Sequence, residues 1–149
     1  MDDPTVRWPS RIAGSPIGRF LYRWLNVSPR LLVKFAWRDE TELTDEVHRH
    51  YTKPYRSPGT RTPQWVLARE LLGSGEWYES LWQRRDRITS MPTLVLWGLA
   101  DPTFGERYLE RWERVLVDAR IVRLDNVGHF VPDEAATTVA PEIATFLNE

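Results

Sequence analysis

The sequence contains no cysteine, no long hydrophobic run and no excess of basic residues, and each absence excludes a class of protein. Without cysteine, the chain forms no disulfide bond, no thiolate metal site and no cysteine nucleophile. No stretch approaches the roughly 18 consecutive apolar residues that a transmembrane helix needs. The first residues are acidic and polar, so they lack the basic and apolar regions of a signal peptide. We therefore expect no membrane partner and a cytoplasmic location.

The charge balance argues against nucleic acid as a partner. The 149 residues carry 20 Lys and Arg against 21 Asp and Glu, so the formal net charge is -1. Proteins that bind nucleic acid through its phosphates usually carry a basic excess. Hydrophobic residues make up 42% and charged residues 28%, which is typical of a folded globular chain. The 8 tryptophans indicate an aromatic-rich core, and a functional alternative is that some of them line an apolar pocket.

The first 90 residues show helical patterns and little sign of strands, which predicts a helical domain over residues 1–90. Thr44 is a favourable N-cap, and the helix that it begins should end before Pro54. The segment Gly73-Ser74-Gly75 should break the chain between two helices. Apolar residues at helical spacing support this interpretation; they include Ile17, Phe20, Leu21, Trp24, Leu25, Leu31, Leu32, Phe35, Trp65 and Leu71. The same spacing predicts a last helix from Trp77 to Ile88.

Residues 91–149 have a different character and form a second predicted domain. A continuous apolar run at residues 93–97 predicts a strand buried on both faces, and residues 120–124 predict another strand. Because a helix connects them, the two strands should be parallel, in a right-handed β-α-β unit. We expect Asp133 to cap a last helix that runs to about Leu147. The predicted fold class is therefore α/β, with a helical part followed by a parallel β-α-β-α unit.

Two strands are too few for the sheet that this pattern predicts. Parallel sheets occur almost only with several strands and with both faces covered, and a pair of strands alone is marginally stable. The run at residues 93–97 is typical of an interior strand, so its outer edge should have a neighbour. A helix covering that edge is one solution. The alternative that we favour is that the chain is a piece of a larger fold.

Two polar residues follow the predicted strands. Asp101 comes shortly after the first strand, and His129 follows the second in the segment Gly128-His129-Phe130. Each residue alone also fits a structural role, Asp101 as a turn initiator and His129 as an ordinary loop residue. Loops that follow neighbouring parallel strands lie side by side, however, so the two residues are expected to meet. A carboxylate bound to one imidazole nitrogen leaves the other nitrogen as a general base.

With these motifs in view, the chain resembles the end of an α/β-hydrolase, in which the catalytic residues occur in the order nucleophile, acid, histidine. The segments Leu96-Trp97-Gly98…Asp101-Pro102 and Val127-Gly128-His129-Phe130-Val131-Pro132-Asp133-Glu134 are similar to haloalkane dehalogenases, with epoxide hydrolases close by. The helical first part resembles the cap domain of those enzymes. The resemblance covers nearly the whole chain and is strongest over residues 92–134.

The resemblance implies a two-step reaction. In haloalkane dehalogenases an Asp carboxylate displaces the halide and forms an alkyl-enzyme ester, which water then hydrolyses. His129 would activate that water, and Asp101 would orient the histidine. Indole or amide N–H groups stabilise the leaving halide in this family, and the cap tryptophans Trp8, Trp24 and Trp37 are the candidate donors. The implied substrate is small and apolar, and no cofactor or metal is implied.

The nucleophile of the family lies ahead of the cap, and the sequence offers no equivalent. There is no Gly-x-Ser-x-Gly motif, and Ser74 joins two predicted helices instead of following a strand. His48 and His50 lie two residues apart, so they do not share a helix face and are not expected to bind a metal. The chain alone is therefore expected to be inactive, and an N-terminal half supplied by another chain is an expected partner.

Two other functions stay open at this stage. An epoxide hydrolase would use tyrosine hydroxyls above the site, and a carboxylic-ester hydrolase would need a serine at the absent nucleophile position. The candidate tyrosines are Tyr22, Tyr51, Tyr55 and Tyr78. A third hypothesis is a non-catalytic interaction protein that uses an exposed strand edge for binding.

Overall fold

The computed structural model describes residues 11–149, except for the side chain of residue 72, and divides into two compact units. The first unit runs to Phe35 and resumes over Asp39–Leu81. The second unit comprises Ala36–Arg38 and Trp82–Glu149. The domains predicted at residues 1–90 and 91–149 stay a prediction.

The first unit is helical, and its helices begin at capping residues. The hydroxyl of Ser15 accepts a hydrogen bond from the backbone N–H of Gly18, which caps the helix α1. Thr44 caps α3 in the same way through the N–H of Val47, as predicted. Ser74 separates α4 from α5, so the predicted break is confirmed. The elements are α1 (Pro16–Arg23), a π-helical turn (Ser28–Leu32), α2 (Val33–Ala36), α3 (Asp45–Thr52), α4 (Thr62–Gly73) and α5 (Gly75–Gln83), and the last residues of α2 and α5 are counted in the second unit.

The core of the first unit is small. Helix α1 packs against α4, and α3 packs against the π-helical turn. The indole N–H of Trp65 donates to the carbonyl of Ala13 over 2.9 Å, which joins α4 to the start of the described chain. The buried apolar residues of this unit include Ala13, Pro29, Val33 and Leu43.

The second unit contains the predicted β-α-β arrangement. Two strands, β1 (Leu94–Gly98) and β2 (Arg120–Leu124), pair in parallel, with Leu94 opposite Arg120 and Gly98 opposite Leu124. Helices α8 and α9 both contact β1. The apolar core of this unit consists of Trp37, Leu109, Leu116, Val127 and Val139. The helices are α6 (Asp86–Thr89), α7 (Glu106–Glu113), α8 (Val131–Glu134) and α9 (Ala136–Leu147).

Three local predictions were wrong. The strand β1 is half-buried along most of its length instead of buried on both faces, because β2 is its only partner among the described residues. Asp133 does not cap the last helix: it lies inside the short helix α8, and α9 begins after Ala135 without a side-chain cap. The helix predicted from Trp77 to Ile88 is interrupted after Gln83.

Many large apolar side chains are exposed. Residues more than half exposed include Ile17, Phe20, Trp24, Leu31, Phe35 and Leu67 in the first unit and Met91, Val117 and Leu147 in the second. Within the described residues, every helix is too short or too polar to cross a membrane.

Candidate active site

The candidate site lies at the carboxyl ends of the two strands. The loop after β1 is tied to the loop after β2 by two backbone hydrogen bonds. The N–H of Leu99 donates to the carbonyl of Leu124 over 3.0 Å, and the N–H of Ala100 donates to the carbonyl of Val127 over 3.0 Å. These bonds continue the parallel pairing beyond Gly98 and Leu124. The two loops therefore leave the sheet side by side, as the sequence predicts.

Two glycines allow this close approach. A Cβ atom at Gly98 would lie 2.6 Å from the carbonyl oxygen of Val127 and closer still to that of Gly128. A Cβ atom at Gly128 would lie 2.6 Å from the carbonyl oxygen of Ala36 and 2.9 Å from the amide nitrogen of Arg38. Because the atoms in the way are backbone atoms, a side chain at either position would push the loops apart. Glycine is required here by close approach and not by an unusual φ angle.

The approach of the loops brings Asp101 and His129 into contact, so the prediction that these two residues meet is confirmed. Nδ1 of His129 lies 2.8 Å from Oδ2 of Asp101. The other carboxylate oxygen, Oδ1, accepts a hydrogen bond of 2.7 Å from the backbone N–H of Thr103. The Asp101 side chain is 9% exposed and that of His129 is 38% exposed. The carboxylate is thus enclosed and held from two sides, while the imidazole reaches solvent.

The interaction between Asp101 and His129 shifts the pKa of both side chains. The hydrogen bond that His129 donates to Asp101 raises the pKa of His129 above its usual value, although burial opposes this, and the negative charges of Asp101 and Glu134 add to the rise. Burial would raise the pKa of Asp101, but hydrogen bonds from His129 and from the backbone of Thr103 and Phe104 outweigh it, so the pKa is lowered. The ionised carboxylate therefore fixes the proton of neutral His129 on Nδ1 and leaves Nε2 as the basic nitrogen.

A second acid, Glu134, holds the histidine loop, and the sequence analysis did not assign it a role. Its carboxylate accepts three backbone hydrogen bonds, from Gly128 over 2.9 Å, from Phe130 over 2.9 Å and from Arg38 over 2.8 Å. Two of these donors flank His129 directly. The signal that could have found it is an acid five residues after the histidine, at the end of a short helix that folds back on the loop.

Aromatic rings surround the imidazole. Phe104 stacks on His129, with ring centroids 5.9 Å apart, and Phe130 meets it edge-on at 5.2 Å. The indole N–H of Trp97 donates to the carbonyl of Phe104 over 2.8 Å and so fixes the loop that carries that ring. Trp37 in turn stacks on Phe130 at 5.6 Å. The site is therefore an apolar, aromatic setting around one acid–base pair.

The segment Ala36–Arg38 belongs to this site although it is distant in sequence. The backbone N–H of His129 donates to the carbonyl of Ala36 over 3.0 Å. Among the tryptophans predicted as halide donors, Trp37 lies in the unit that contains His129, and it is 6% exposed. Trp24 lies in the first unit and is 62% exposed. Trp8 lies outside the described residues.

The other residues considered in the sequence have different surroundings, all in the first unit. The hydroxyl of Ser74 donates to Glu70 over 2.9 Å, in the break between α4 and α5. Nε2 of His48 lies 2.6 Å from the carbonyl oxygen of Pro29. Across residues 11–149, no three His, Asp or Glu side chains are grouped as metal ligands would be. The candidate tyrosines Tyr22, Tyr51, Tyr55 and Tyr78 all belong to this unit, and burial raises the pKa of Tyr22.

Comparison with solved structures identifies the fold. The haloalkane dehalogenase DatA from Agrobacterium tumefaciens superimposes with a TM-score of 0.79 at 19% sequence identity, over 98% of this chain and 52% of that structure. The haloalkane dehalogenase DbeA from Bradyrhizobium elkani gives a TM-score of 0.78 at 18% identity, over 99% of this chain and 53% of that structure. The chain thus has a partial α/β-hydrolase fold that matches the C-terminal part of these enzymes.

Comparison with curated sequences gives relatives that are named as decarboxylases and not as dehalogenases. A cis-3-alkyl-4-alkyloxetan-2-one decarboxylase from Xanthomonas campestris is 25% identical over 129 residues, which are 83% of this chain and 39% of the relative. The decarboxylase of the same name from Shewanella oneidensis is 29% identical over 63 residues, which are 42% of this chain and 20% of the relative. No family model matches. The chain spans about half the length of the solved structures, and less of the curated relatives.

Proposed function

We propose that the chain supplies the acid–histidine pair and the helical cap of a hydrolase that acts like a haloalkane dehalogenase. The observation that carries the proposal is the hydrogen bond between Asp101 and His129 at the strand ends of a partial α/β-hydrolase fold. An ionised, enclosed carboxylate on Nδ1 is the arrangement that makes the opposite imidazole nitrogen a general base. The structural neighbours are dehalogenases by name, and that activity is extended to this chain as part of the proposal.

The proposed role of His129 is in the second step of the reaction. A carboxylate nucleophile first attacks the carbon that bears the halogen, so that a C–O bond forms and the halide leaves with its electron pair. Nε2 of His129 then takes a proton from water while the water oxygen adds to the ester carbonyl. Collapse of that adduct breaks the C–O bond to the alkoxy group, the leaving oxygen takes the proton back from Nε2 to give the alcohol, and the carboxyl group loses its proton to solvent to restore the carboxylate. The negative charge of Asp101 stabilises the imidazolium formed in between.

The nucleophile itself is proposed to come from polypeptide outside this sequence. Among the side chains that the structure describes, none forms a hydrogen bond with Nε2 of His129. Two further features support a missing partner. β1 is paired along one edge in the described sheet, and large apolar side chains are exposed on both units.

The curated relatives favour a second candidate substrate. Both are named as decarboxylases of a cis-3-alkyl-4-alkyloxetan-2-one, a four-membered cyclic ester with two alkyl substituents. The same acid–histidine pair beside an aromatic setting suits an apolar ester of this kind. A hydrolase of epoxides or of open-chain carboxylic esters would use the same pair. A non-catalytic interaction protein, in contrast, would show no turnover even when an N-terminal half that carries a nucleophile is supplied.

The test is reconstitution with a front half. The chain is expressed alone and together with the N-terminal half of the haloalkane dehalogenase from Agrobacterium tumefaciens, the part of that enzyme that this chain does not match. Halide release from short haloalkanes and CO₂ release from dialkyl oxetanones are then measured. We expect no turnover from the chain alone and halide release from the pair. Steady turnover by the chain alone would contradict the proposal that the nucleophile comes from elsewhere.

The variant His129→Ala separates the mechanisms. In the dehalogenase mechanism the histidine acts after the halide has left, so the variant should release one equivalent of halide per site and then stop. In a serine hydrolase the histidine is needed to activate the serine for the first attack, so the variant should release no initial equivalent of product. The control is His50→Ala, which removes an exposed imidazole of the first unit. CO₂ release without halide release would replace the dehalogenase proposal by the decarboxylase one.

A further inference from the structure

A cavity of 650 Å³ in the first unit is lined by positive charge. Four exposed cationic side chains stand around it, namely Arg30, Arg49, Lys53 and Arg56. Arg61 adds a fifth positive charge, and none of the described residues that line the cavity is a carboxylate. The other described lining residues are Asn26, His48, Thr52 and Tyr55. All of these residues belong to the first unit, which contains neither Asp101 nor His129.

The exposed cations of the cavity are not neutralised within the described part of the chain. Arg30, Arg49, Lys53 and Arg56 form no ion pair there, whereas Arg69 pairs with Glu70 in the same unit. Like charges around one cavity repel each other, and solvent only partly screens that repulsion. The net charge of the whole chain is -1, so the cluster is a local concentration of charge and not the consequence of a basic protein.

One lining side chain, that of Arg61, is held in place by backbone carbonyls. The guanidinium of Arg61 donates to the carbonyl oxygens of Tyr55 over 2.8 Å, Arg23 over 3.0 Å, Trp24 over 3.1 Å and Arg56 over 2.9 Å. These acceptors are neutral, so the positive charge of Arg61 remains uncompensated. The Arg61 side chain is therefore held in place by the protein itself, which reduces the entropy cost of binding at that group.

The buried side chain of Asn26 lines the same cavity, and its amide oxygen lacks a hydrogen-bond partner. Asn26 is 3% exposed, and its Oδ1 atom forms no hydrogen bond with any described residue. Its φ angle of 54° lies in the left-handed region that Asn tolerates. Buried polar atoms in folded proteins almost always have a partner. A ligand in the cavity would reach this amide only after the side chain turned, and the turned amide could then donate to a ligand oxygen or accept from a ligand hydroxyl.

We propose that this cavity binds a small organic molecule that carries phosphate groups. Arginine and lysine together bind phosphate through charge-assisted hydrogen bonds, and guanidinium groups can do so with two parallel bonds. The volume of 650 Å³ falls within the range of about 300–1,000 Å³ that is usual for organic ligands, so an inorganic ion would fill only part of it. The half-buried ring of Tyr55 supplies a surface for the organic portion.

The test uses pyrophosphate as the probe and citrate as a polyanion without phosphorus, titrated into the full chain by calorimetry at low and high salt. We expect saturable 1:1 binding of pyrophosphate that weakens with salt, and weaker binding of citrate. Lys53→Gln combined with Arg56→Gln should weaken binding by about tenfold or more, the effect of losing one or two charge-assisted bonds. Asn26→Gly, which suits the left-handed φ angle, should weaken it by several-fold.

The matched control is Lys34→Gln, which removes the same charge from an exposed lysine of the first unit that does not line the cavity. It should change the dissociation constant by no more than about twofold. Thermal melting of each variant shows that it is folded. The absence of saturable pyrophosphate binding would overturn the proposal, as would an equal loss of affinity in Lys34→Gln. Citrate binding as tight as pyrophosphate binding would overturn the assignment to phosphate.

Discussion

The carboxylate of Asp101 and the imidazole of His129 lie across a hydrogen bond of 2.8 Å, and each favours the charged form of the other. The pKa of His129 is raised by that bond, and the pKa of Asp101 is lowered in spite of its burial. A raised histidine pKa is what a water-activating base needs, since it makes Nε2 a better proton acceptor near neutral pH. The interaction therefore has consequences that can be measured on the chain alone, without any turnover.

The first prediction concerns the pKa of His129. Titration of the imidazole Hε1 resonances by NMR should show a pKa above the ordinary histidine value of about 6.5. Asp101→Asn should lower the pKa of His129, because it replaces a charged acceptor by a neutral amide, which stabilises the imidazolium less. The spectrum contains two other histidines, His48 and His50, whose resonances report whether the substitution disturbs the fold. An unchanged His129 titration in Asp101→Asn would contradict the geometry.

The second prediction concerns stability as a function of pH. The pKa of His129 is raised in the folded state, so the protonated imidazole contributes to stability. This contribution is fully present below about pH 6.5 and is lost as the pH rises through the pKa of the folded state. The lowered pKa of Asp101 contributes stability above about pH 3.9, and this is lost as the pH falls through the folded value. Asp101→Asn should therefore destabilise the chain most between about pH 4 and pH 6.5.

Urea unfolding of the wild type and Asp101→Asn across that range measures the difference. The comparison is made at constant ionic strength, since salt screens the half-exposed imidazole. The loss of stability should shrink at higher pH, where His129 becomes neutral. A difference that stays constant from acid to alkaline pH would mean that the pair does not titrate as a unit.

The third prediction concerns Glu134, which accepts backbone hydrogen bonds from Gly128, Phe130 and Arg38. An amide at this position has one accepting oxygen, so Glu134→Gln leaves at least one of the donors facing an N–H group. We expect a loss of about 2 kcal/mol in the free energy of unfolding, the usual effect of removing a charged acceptor from partly buried donors. The amide protons of residues 128 and 130 should exchange faster with solvent.

The matched control for Glu134→Gln is Glu110→Gln in α7. It makes the same change of charge at an exposed acid of the same unit, so it should alter stability by less than about 0.5 kcal/mol. The pKa of His129 separates positioning from simple support. Since Glu134 adds to the rise in that pKa, Glu134→Gln should lower it, whereas Glu110→Gln should not. If the two variants changed the stability and the pKa of His129 equally, Glu134 would have no specific role in positioning the histidine.

The acid–histidine pair was predictable from the sequence because parallel strands impose a simple geometry. Residues that follow neighbouring strand ends are brought to one edge of the sheet, whatever the intervening helix contains. The sequence thus located Asp101 and His129 although 28 residues separate them. The helices were predictable for an equally local reason, since capping residues and glycine breaks act within a few positions.

Interactions with the backbone were not predictable in the same way. Glu134 binds amide groups, which every residue has, so no residue type marks its partners. The same local ambiguity explains the error at Asp133: an acid next to a helix can cap it or lie within it, and here the acid one position later takes the structural role. Trp37 reaches the histidine loop through a three-residue segment, Ala36–Arg38, which is too short to carry a periodic signal.

The fourth prediction concerns Gly98, where the two loops of the site meet. Gly98→Ala places a methyl group 2.6 Å from the carbonyl oxygen of Val127 and against that of Gly128. These are backbone atoms, so the strain cannot be relieved by rotating a side chain, and the loop of His129 must move. We expect a loss of more than about 2 kcal/mol in the free energy of unfolding. The pKa of His129 should also fall, because its bond to Asp101 depends on the spacing of the loops.

Gly75→Ala is the control for that variant, since it adds the same methyl group in a different setting. A Cβ atom at Gly75 meets nothing within 4 Å, and the residue begins α5. Alanine favours a helix over glycine by up to about 1 kcal/mol, so this variant should be as stable as the wild type or more stable. Chemical denaturation of both variants provides the comparison. If Gly98→Ala were as stable as Gly75→Ala, with an unchanged His129 titration, the contact between the two loops could not be what places the acid beside the histidine.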